Sequence, residues 1–271
     1  MPVLKRDDAD IAYEVQGKGP ALLLIAGTAW EGVFWKPWQV PDLARDHTVI
    51  TFDLRGTGKT VLRGKDYSTD ALAADAAALI AHVGAGPATV VGHSMGGRIA
   101  QLVALDHRQH VSKLILASTG ASFKVKGGIS PAMCLAIIRQ GYESYVREHS
   151  IGIGFSKAFV AARPERVKQF IDLMMATLPP IEVYFEHVVS RQMHDTSLRL
   201  KDISVPTLVL VGGDETHGNS DTTHVASSEA LAKRIPGATF FVLPGQGHFY
   251  PFSDPDTTSR LIRTFAATGA I

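Results

Sequence analysis

Residues 88–105 read ATVVGHSMGGRIAQLVAL. The first five, ATVVG, form a short apolar, β-branched run of the kind that fills a strand buried on both faces. From Met95 the pattern turns helical, through MGGRIAQLVALDH. Ser94 stands at the join, with Gly92 two places before it and Gly96 two places after. A strand turning sharply into a helix at that point lifts a serine hydroxyl above the sheet in a strained backbone conformation. Small residues at 92 and 96 let strand and helix approach closely, and the helix aims its N-terminal N–H groups at the same spot. Glycines also flank serines in ordinary turns. Ser94 is a nucleophile only if the rest of the chain supplies a base, an acid and an oxyanion site in the right order.

Outward from this stretch, strand-like and helix-like segments alternate. DIAYEVQG (10–17) alternates with period two and reads as a hairpin strand ending at GKGP. ALLLIAG (21–27) and HTVITFDLRG (47–56) are continuous apolar runs suited to a parallel sheet. Residues 68–83 form an Ala-rich helix with Ser68 or Thr69 as N-cap, and VSKLILAST (111–119) is another strand. Residues 121–200 hold no convincing strand but several helical stretches, among them PAMCLAIIRQGYESYVREH (131–149) and PERVKQFIDLMMATL (164–178). Alternation then resumes with VPTLVLVGG (205–213), ASSEALAKRI (226–235), ATFFVLPG (238–245) and a last helix in DPDTTSRLIRTFAATG (254–269). This order predicts an α/β core from residues 1–120 and 201–271, carrying a helical cap over 121–200.

Bulk properties narrow the function. At 271 residues, 45% hydrophobic and 20% charged, the chain has the profile of one large soluble domain. A net charge of +1, with no run of Lys and Arg, offers nothing to nucleic acid. The single cysteine, Cys134, excludes an internal disulfide and any multi-cysteine metal site. The first residues, MPVLKRDDADIAYEV, lack a signal-peptide core, and no stretch approaches the roughly 20 apolar residues of a membrane span. A cytoplasmic protein acting on a small molecule is expected.

A serine hydroxyl needs a base. Among eleven histidines, His248 stands out because it directly follows a strand in a glycine-rich loop, FFVLPGQGHFYPF. That places it at the sheet edge that carries Ser94. The acid that orients the imidazole should follow the penultimate strand, where Asp214, Glu215 and Asp221 are available. Chain order is then Ser, acid, His. Two other patterns fail. Asp214, Glu215, His217, Asp221 and His224 lack the tight spacing of a metal motif. DLRGTGKT (53–60) ends like a phosphate loop, but the glycine that motif needs five residues before Gly58 is Asp53.

Taken together, LLLIAG, FDLRGTGKT, GHSMGG, VPTLVLVGGDE and GQGHF closely resemble the α/β-hydrolase superfamily over essentially the whole chain, and within it the esterase and β-ketoadipate enol-lactonase-like group. The resemblance implies a mostly parallel twisted sheet with helices on both faces and an inserted helical cap. It implies Ser94 as nucleophile, His248 as base and the Met95 amide as one oxyanion donor. Counted from Gly212, the acid falls on Glu215, with Asp214 as the alternative. The chain departs from the family at Ala26-Gly27, where a His-Gly pair is usual. The Thr28 amide should still complete the oxyanion hole. Trp30, Phe34 and Trp35 either wall the substrate or pack the cap onto the core, and cap residues such as Met133, Ile137, Tyr142, Phe155, Met174, Met175, Tyr184 and Phe185 are pocket candidates. Arg98 either meets an anionic substrate or sits in a structural ion pair.

These features predict hydrolysis of a small ester or lactone through an acyl-enzyme, with no metal or organic cofactor. Carbon–carbon bond hydrolases of diketones, amidases and some cofactor-free peroxidases use the same three groups, and a ligand receptor could reuse the scaffold. An epoxide or haloalkane hydrolase would need a carboxylate at position 94.

Overall fold

The computed structural model describes residues 1–123, 129–215, 218–219 and 222–271. The chain opens with strands β1 (Val3–Lys5), β2 (Ala9–Gln16) and β3 (Ala21–Ile25), a short helix α1 (Val40–Leu43), and strands β4 (Thr48–Phe52) and β5 (Val61–Leu62). Helix α2 (Thr69–Val83), strand β6 (Ala88–His93), helix α3 (Met95–Asp106) and strand β7 (Val111–Ala117) follow. Between β7 and the next strand lie α4 (Pro131–Gln140), α5 (Tyr142–Gly154), α6 (Lys157–Ala162), α7 (Pro164–Ala176) and α8 (Ile181–Met193). The chain closes with β8 (Thr207–Gly212), a small hairpin of β9 (Gly218–Asn219) and β10 (Thr222–Thr223), α9 (His224–Arg234), β11 (Thr239–Leu243), α10 (Tyr250–Ser253) and α11 (Pro255–Thr268).

The main sheet runs β1-β2-β4-β3-β6-β7-β8-β11, with β5 beside β2. β2 pairs antiparallel with β1, β4 and β5. From β4 to β11 every pairing is parallel. The central strands are buried on both faces, which is why their sequences read as unbroken apolar runs. Alternate residues still serve opposite layers. Leu23, Ile25, Val90 and Leu114 pack with Leu72 and Leu79 of α2 and Ile99 of α3. Leu22, Leu24, Val91 and Ile115 pack on the other face with Leu261 and Phe265 of α11. Each fully buried aliphatic or aromatic side chain contributes about 1.5–3 kcal/mol.

Helix α2 starts where Ser68 accepts a hydrogen bond from the Ala71 amide at 3.2 Å and ends at Gly84, in the left-handed conformation. The long helical pattern predicted over 131–149 is two helices. Gly141, at φ 85°, breaks it into α4 and α5. Among the described residues no helix is long and apolar enough to cross a membrane.

Candidate active site

Ser94 follows β6 directly and is the N-cap of α3, at φ 56° and ψ −116°. The glycines around it are required by contact. A Cβ on Gly92 would overlap the Gly96 carbonyl, and one on Gly96 would overlap the Ile25 carbonyl in β3. Strand, turn and helix are therefore pressed together, and the backbone of Ser94 is pinned. Its amide donates to the Ala117 carbonyl at 2.8 Å, and its carbonyl accepts from Thr119 Oγ1 at 2.8 Å and the Gly97 amide at 3.1 Å. The side chain makes no capping bond to the helix.

His248 lies in the loop after β11, on the same edge of the sheet, and lines the same cavity as Ser94. Its Nδ1 is 2.9 Å from Glu215 Oε2. Glu215 is 2% exposed, whereas Asp214 is exposed. The turn after β8 explains the difference. The Gly213 and Asp214 amides donate to the Leu243 and Gln246 carbonyls, which turns Asp214 outward and Glu215 inward. Glu215 Oε1 accepts from Ser118 Oγ and, at 2.9 Å, from the Gly212 amide. Burial raises the Glu215 pKa, opposed by His224 and by these donors. Asp221, the third sequence candidate for the acid, lies outside the described residues, as does His217.

Thr28 also lines the cavity, in the loop after β3. No described residue accepts a hydrogen bond from its amide. Met95 is the first residue of α3, where amides have no intrahelical acceptor. The next residue along the loop, Ala29, adopts φ 61°, and its amide donates to His187 Nδ1 at 3.0 Å. His187 is wholly buried on α8, and its Nε2 donates to the Arg55 carbonyl at 2.9 Å. A histidine 158 residues away thus holds a loop that lacks the family's usual His-Gly pair. Nothing in the linear pattern of α8 marks it.

His93, immediately before Ser94, was equally invisible. It is wholly buried, and its Nε2 donates to the His248 carbonyl at 2.8 Å. The His248 loop is held from the other side by α5, whose Gly154 carbonyl accepts from the Phe249 amide at 2.7 Å. Trp30 stacks on Phe34 with ring centroids 4.7 Å apart, and both line the cavity. Trp35 does not: it is 1% exposed and turned toward His93 and Phe252. The 3-10 turn at Gly32–Trp35 points it into the core, the packing alternative of the two given for this residue. Of the cap candidates, Met174 and Tyr184 reach the cavity. The sequence reading missed Val146, His149, Leu178 and Arg191, which also line it.

The sequence model of the Alpha/beta hydrolase family matches residues 22–261. The chain belongs to that family. It is 28% identical to "Putative carbamate hydrolase RutD" of Azorhizobium caulinodans, over 98% of both chains. Among solved structures, a thermophilic esterase from Thermogutta terrifontis, with malate bound, superimposes with TM-score 0.82 at 27% identity over all of both chains. Est816, described as an N-acyl homoserine lactone degrading enzyme, gives 0.81 at 26% identity over 97% of this chain and 100% of its own.

Two buried histidines give this α/β-hydrolase a predictable acid weakness. Burial, then the neighbouring His248, lowers the His93 pKa to about 3. Burial lowers that of His187 to about 4. Above pH 6.5 both are neutral in native and unfolded chains alike, so their contribution is intact there. As the pH falls below 6.5 the unfolded chain protonates both while the native state refuses, as it does at His224, whose pKa burial also lowers to about 3, and stability is lost. At pH 5 the loss is about 2 kcal/mol for each of His93 and His187, roughly 4 kcal/mol together. The raised carboxylates Glu31, Asp53 and Glu215 act in the opposite sense. Urea unfolding of the wild type and of His187→Gln between pH 7.5 and 5 isolates the histidine part. The variant should show a pH slope flatter by about one proton.

The two rejected motifs have structural explanations. In DLRGTGKT, Asp53 accepts from the Gly32 and Lys59 amides, both at 2.9 Å, so a carboxylate fills the space that a phosphate would take. In the second, Glu215, His224 and His248 each bring a ligand atom within 4.8 Å of the others. Glu215 Oε1 is already taken by two donors and Oε2 by His248, so a cation there would have to break the Glu215–His248 bond.

Proposed function

We propose that this α/β-hydrolase is a serine hydrolase that cleaves a small ester or lactone through an acyl-enzyme on Ser94. The observation that carries the reading is the buried Glu215–His248 pair, whose imidazole lines the same cavity as Ser94. Ser94 Oγ attacks the substrate carbonyl carbon, and His248 Nε2 takes its proton. Nδ1–H stays on the Glu215 carboxylate, which stabilises the imidazolium. The Met95 and Thr28 amides receive the oxyanion; one such donor is typically worth about 2.7–4 kcal/mol in the transition state. His248 then protonates the leaving oxygen. In the second half, water loses its proton to His248 and attacks the acyl carbon, releasing the acid and restoring Ser94.

The helices over 121–200 act as the cap in this reading, supplying the Val146, Met174 and Tyr184 side of the cavity. The names of the esterase and lactone-degrading neighbours favour the ester or lactone class. A carbamate is the second reading, favoured by relatives that match nearly the whole chain. A fluorophosphonate probe tests the shared mechanism. A single adduct on Ser94 within minutes, found by peptide mass spectrometry, is expected; an unlabelled native protein would leave a receptor as the better reading. Rates on matched ester, lactone, carbamate and amide substrates then rank the bonds.

A further inference from the structure

A second lobe of the cavity, about 210 Å³, opens beside Ser94 and His248 and is walled by Arg98, Arg191, Phe123, His149 and His224. Arg98 lies one turn beyond Ser94 on α3 and is only 5% exposed. Its Nη1 is fully enclosed without a hydrogen-bond partner, and its guanidinium lies 4.4 Å from the centre of the Phe123 ring. Among the described residues no carboxylate pairs with it. The structural ion pair considered for Arg98 is therefore not what holds it. Arg191 comes from α8 on the opposite side. Its Nη1 reaches Thr28 Oγ1 at 3.3 Å, and its Nε is buried with no partner.

Two guanidinium groups thus line one small chamber, each with an enclosed nitrogen that lacks a partner, and among the described residues no carboxylate forms an ion pair with Arg98. Desolvation, then repulsion from Arg191, lowers the Arg98 pKa to about 9, with Asp195 acting the other way. Enclosing a cation without a partner is strongly unfavourable, and an anion entering the chamber removes that penalty. A carboxylate suits the fork geometry of a guanidinium, which can donate to both oxygens at once. The lobe on the other side of Ser94 has aromatic and aliphatic walls in Trp30, Phe34 and Met174, together with polar groups that include His149 and Arg191 itself.

We infer that the substrate carries a carboxylate, which Arg98 and Arg191 bind in the lobe beside Ser94. The substrates are then half-esters of short dicarboxylic acids. The inference rests on the serine-hydrolase reading for the reaction but not for the binding. Charge-assisted pairing of this kind should favour the acid over its neutral counterpart by roughly 10-fold or more.

The test compares kcat/KM, by proton release, for the monoethyl esters of succinate, glutarate and adipate with ethyl butanoate, pentanoate and hexanoate. At one chain length or more the half-ester should lead by about 10-fold, and Arg98→Met should erase most of that ratio. Thermal shift supplies a reading independent of turnover. Glutarate or succinate should raise the midpoint of Ser94→Ala and glutaramide should not, with the effect lost on adding Arg98→Met. Without ligand, Arg98→Met should itself raise the midpoint by roughly 2 °C or more, because an unpaired buried charge is replaced by a similar apolar volume. A purely structural arginine would lower it. Equal rates on acid and neutral esters, with no dicarboxylate stabilising the protein, would overturn the inference and leave the hydrolase intact. Stabilisation by phosphate as strong as by every dicarboxylate would also overturn it, in favour of a general anion site. Dicarboxylate binding without hydrolysis of any ester would instead sustain the inference and remove the serine-hydrolase reading.

Discussion

Ser94→Ala is expected to lower kcat/KM on the order of 10⁶-fold while the folded protein is unchanged. The fold can spare the hydroxyl because every structural bond at this position belongs to the backbone. The amide is held by Ala117, and the carbonyl by Gly97 and Thr119. What the fold tolerates poorly is the conformation, since φ 56° with ψ −116° is ground that residues with a Cβ rarely occupy. Such a residue stores about 1–3 kcal/mol of strain. Ser94→Gly should therefore be equally inactive yet more stable than the wild type. Paired thermal unfolding and kinetics check both variants. Turnover by Ser94→Ala within about tenfold of wild type would mean that another group is the nucleophile, and the elbow would have no chemical role.

That pairing of strain and glycine contacts also explains what the sequence could disclose. The elbow was readable because close approach of β3, β6 and α3 forces small residues at fixed spacing, and close packing leaves a local signature. The central strands were readable because burial on both faces demands unbroken apolar runs. Glu215 and Asp214 could not be separated, since the choice depends on which amides the Leu243 and Gln246 carbonyls take after a 30-residue excursion. His187 and Arg191 were further out of reach. Both sit on α8, and their roles exist only because that helix lies over the loop after β3. Arg98 was visible as a residue but not as an unpaired charge, for a missing partner is a property of the packed interior alone.

Glu215→Gln should reduce kcat/KM by roughly 10⁴-fold, whereas Asp214→Asn should leave it unchanged. The asymmetry follows from the hydrogen bonds already in place. Ser118 and Gly212 fix one carboxylate oxygen, leaving the other to face His248 Nδ1 at 2.9 Å. A carboxylate there can only accept, so Nδ1 keeps its proton and Nε2 is left to accept one, as the proposed mechanism requires. Glutamine fills the same space but also carries a donor. With its oxygen toward Ser118 and Gly212, its NH₂ faces Nδ1, which must then accept, and the ring proton moves to Nε2. The imidazole becomes unable to act as a base, and no negative charge remains to balance an imidazolium. His224, 3.7 Å from the same oxygen, offers no replacement charge, because burial lowers its pKa to about 3. Glu215→Asp, one methylene shorter, keeps the charge but withdraws it from His248 and should fall between the two. Kinetics of the three variants, with nitrogen chemical shifts of His248 to read its tautomer, check the assignment; an active Glu215→Gln protein with Nδ1 still protonated would refute it.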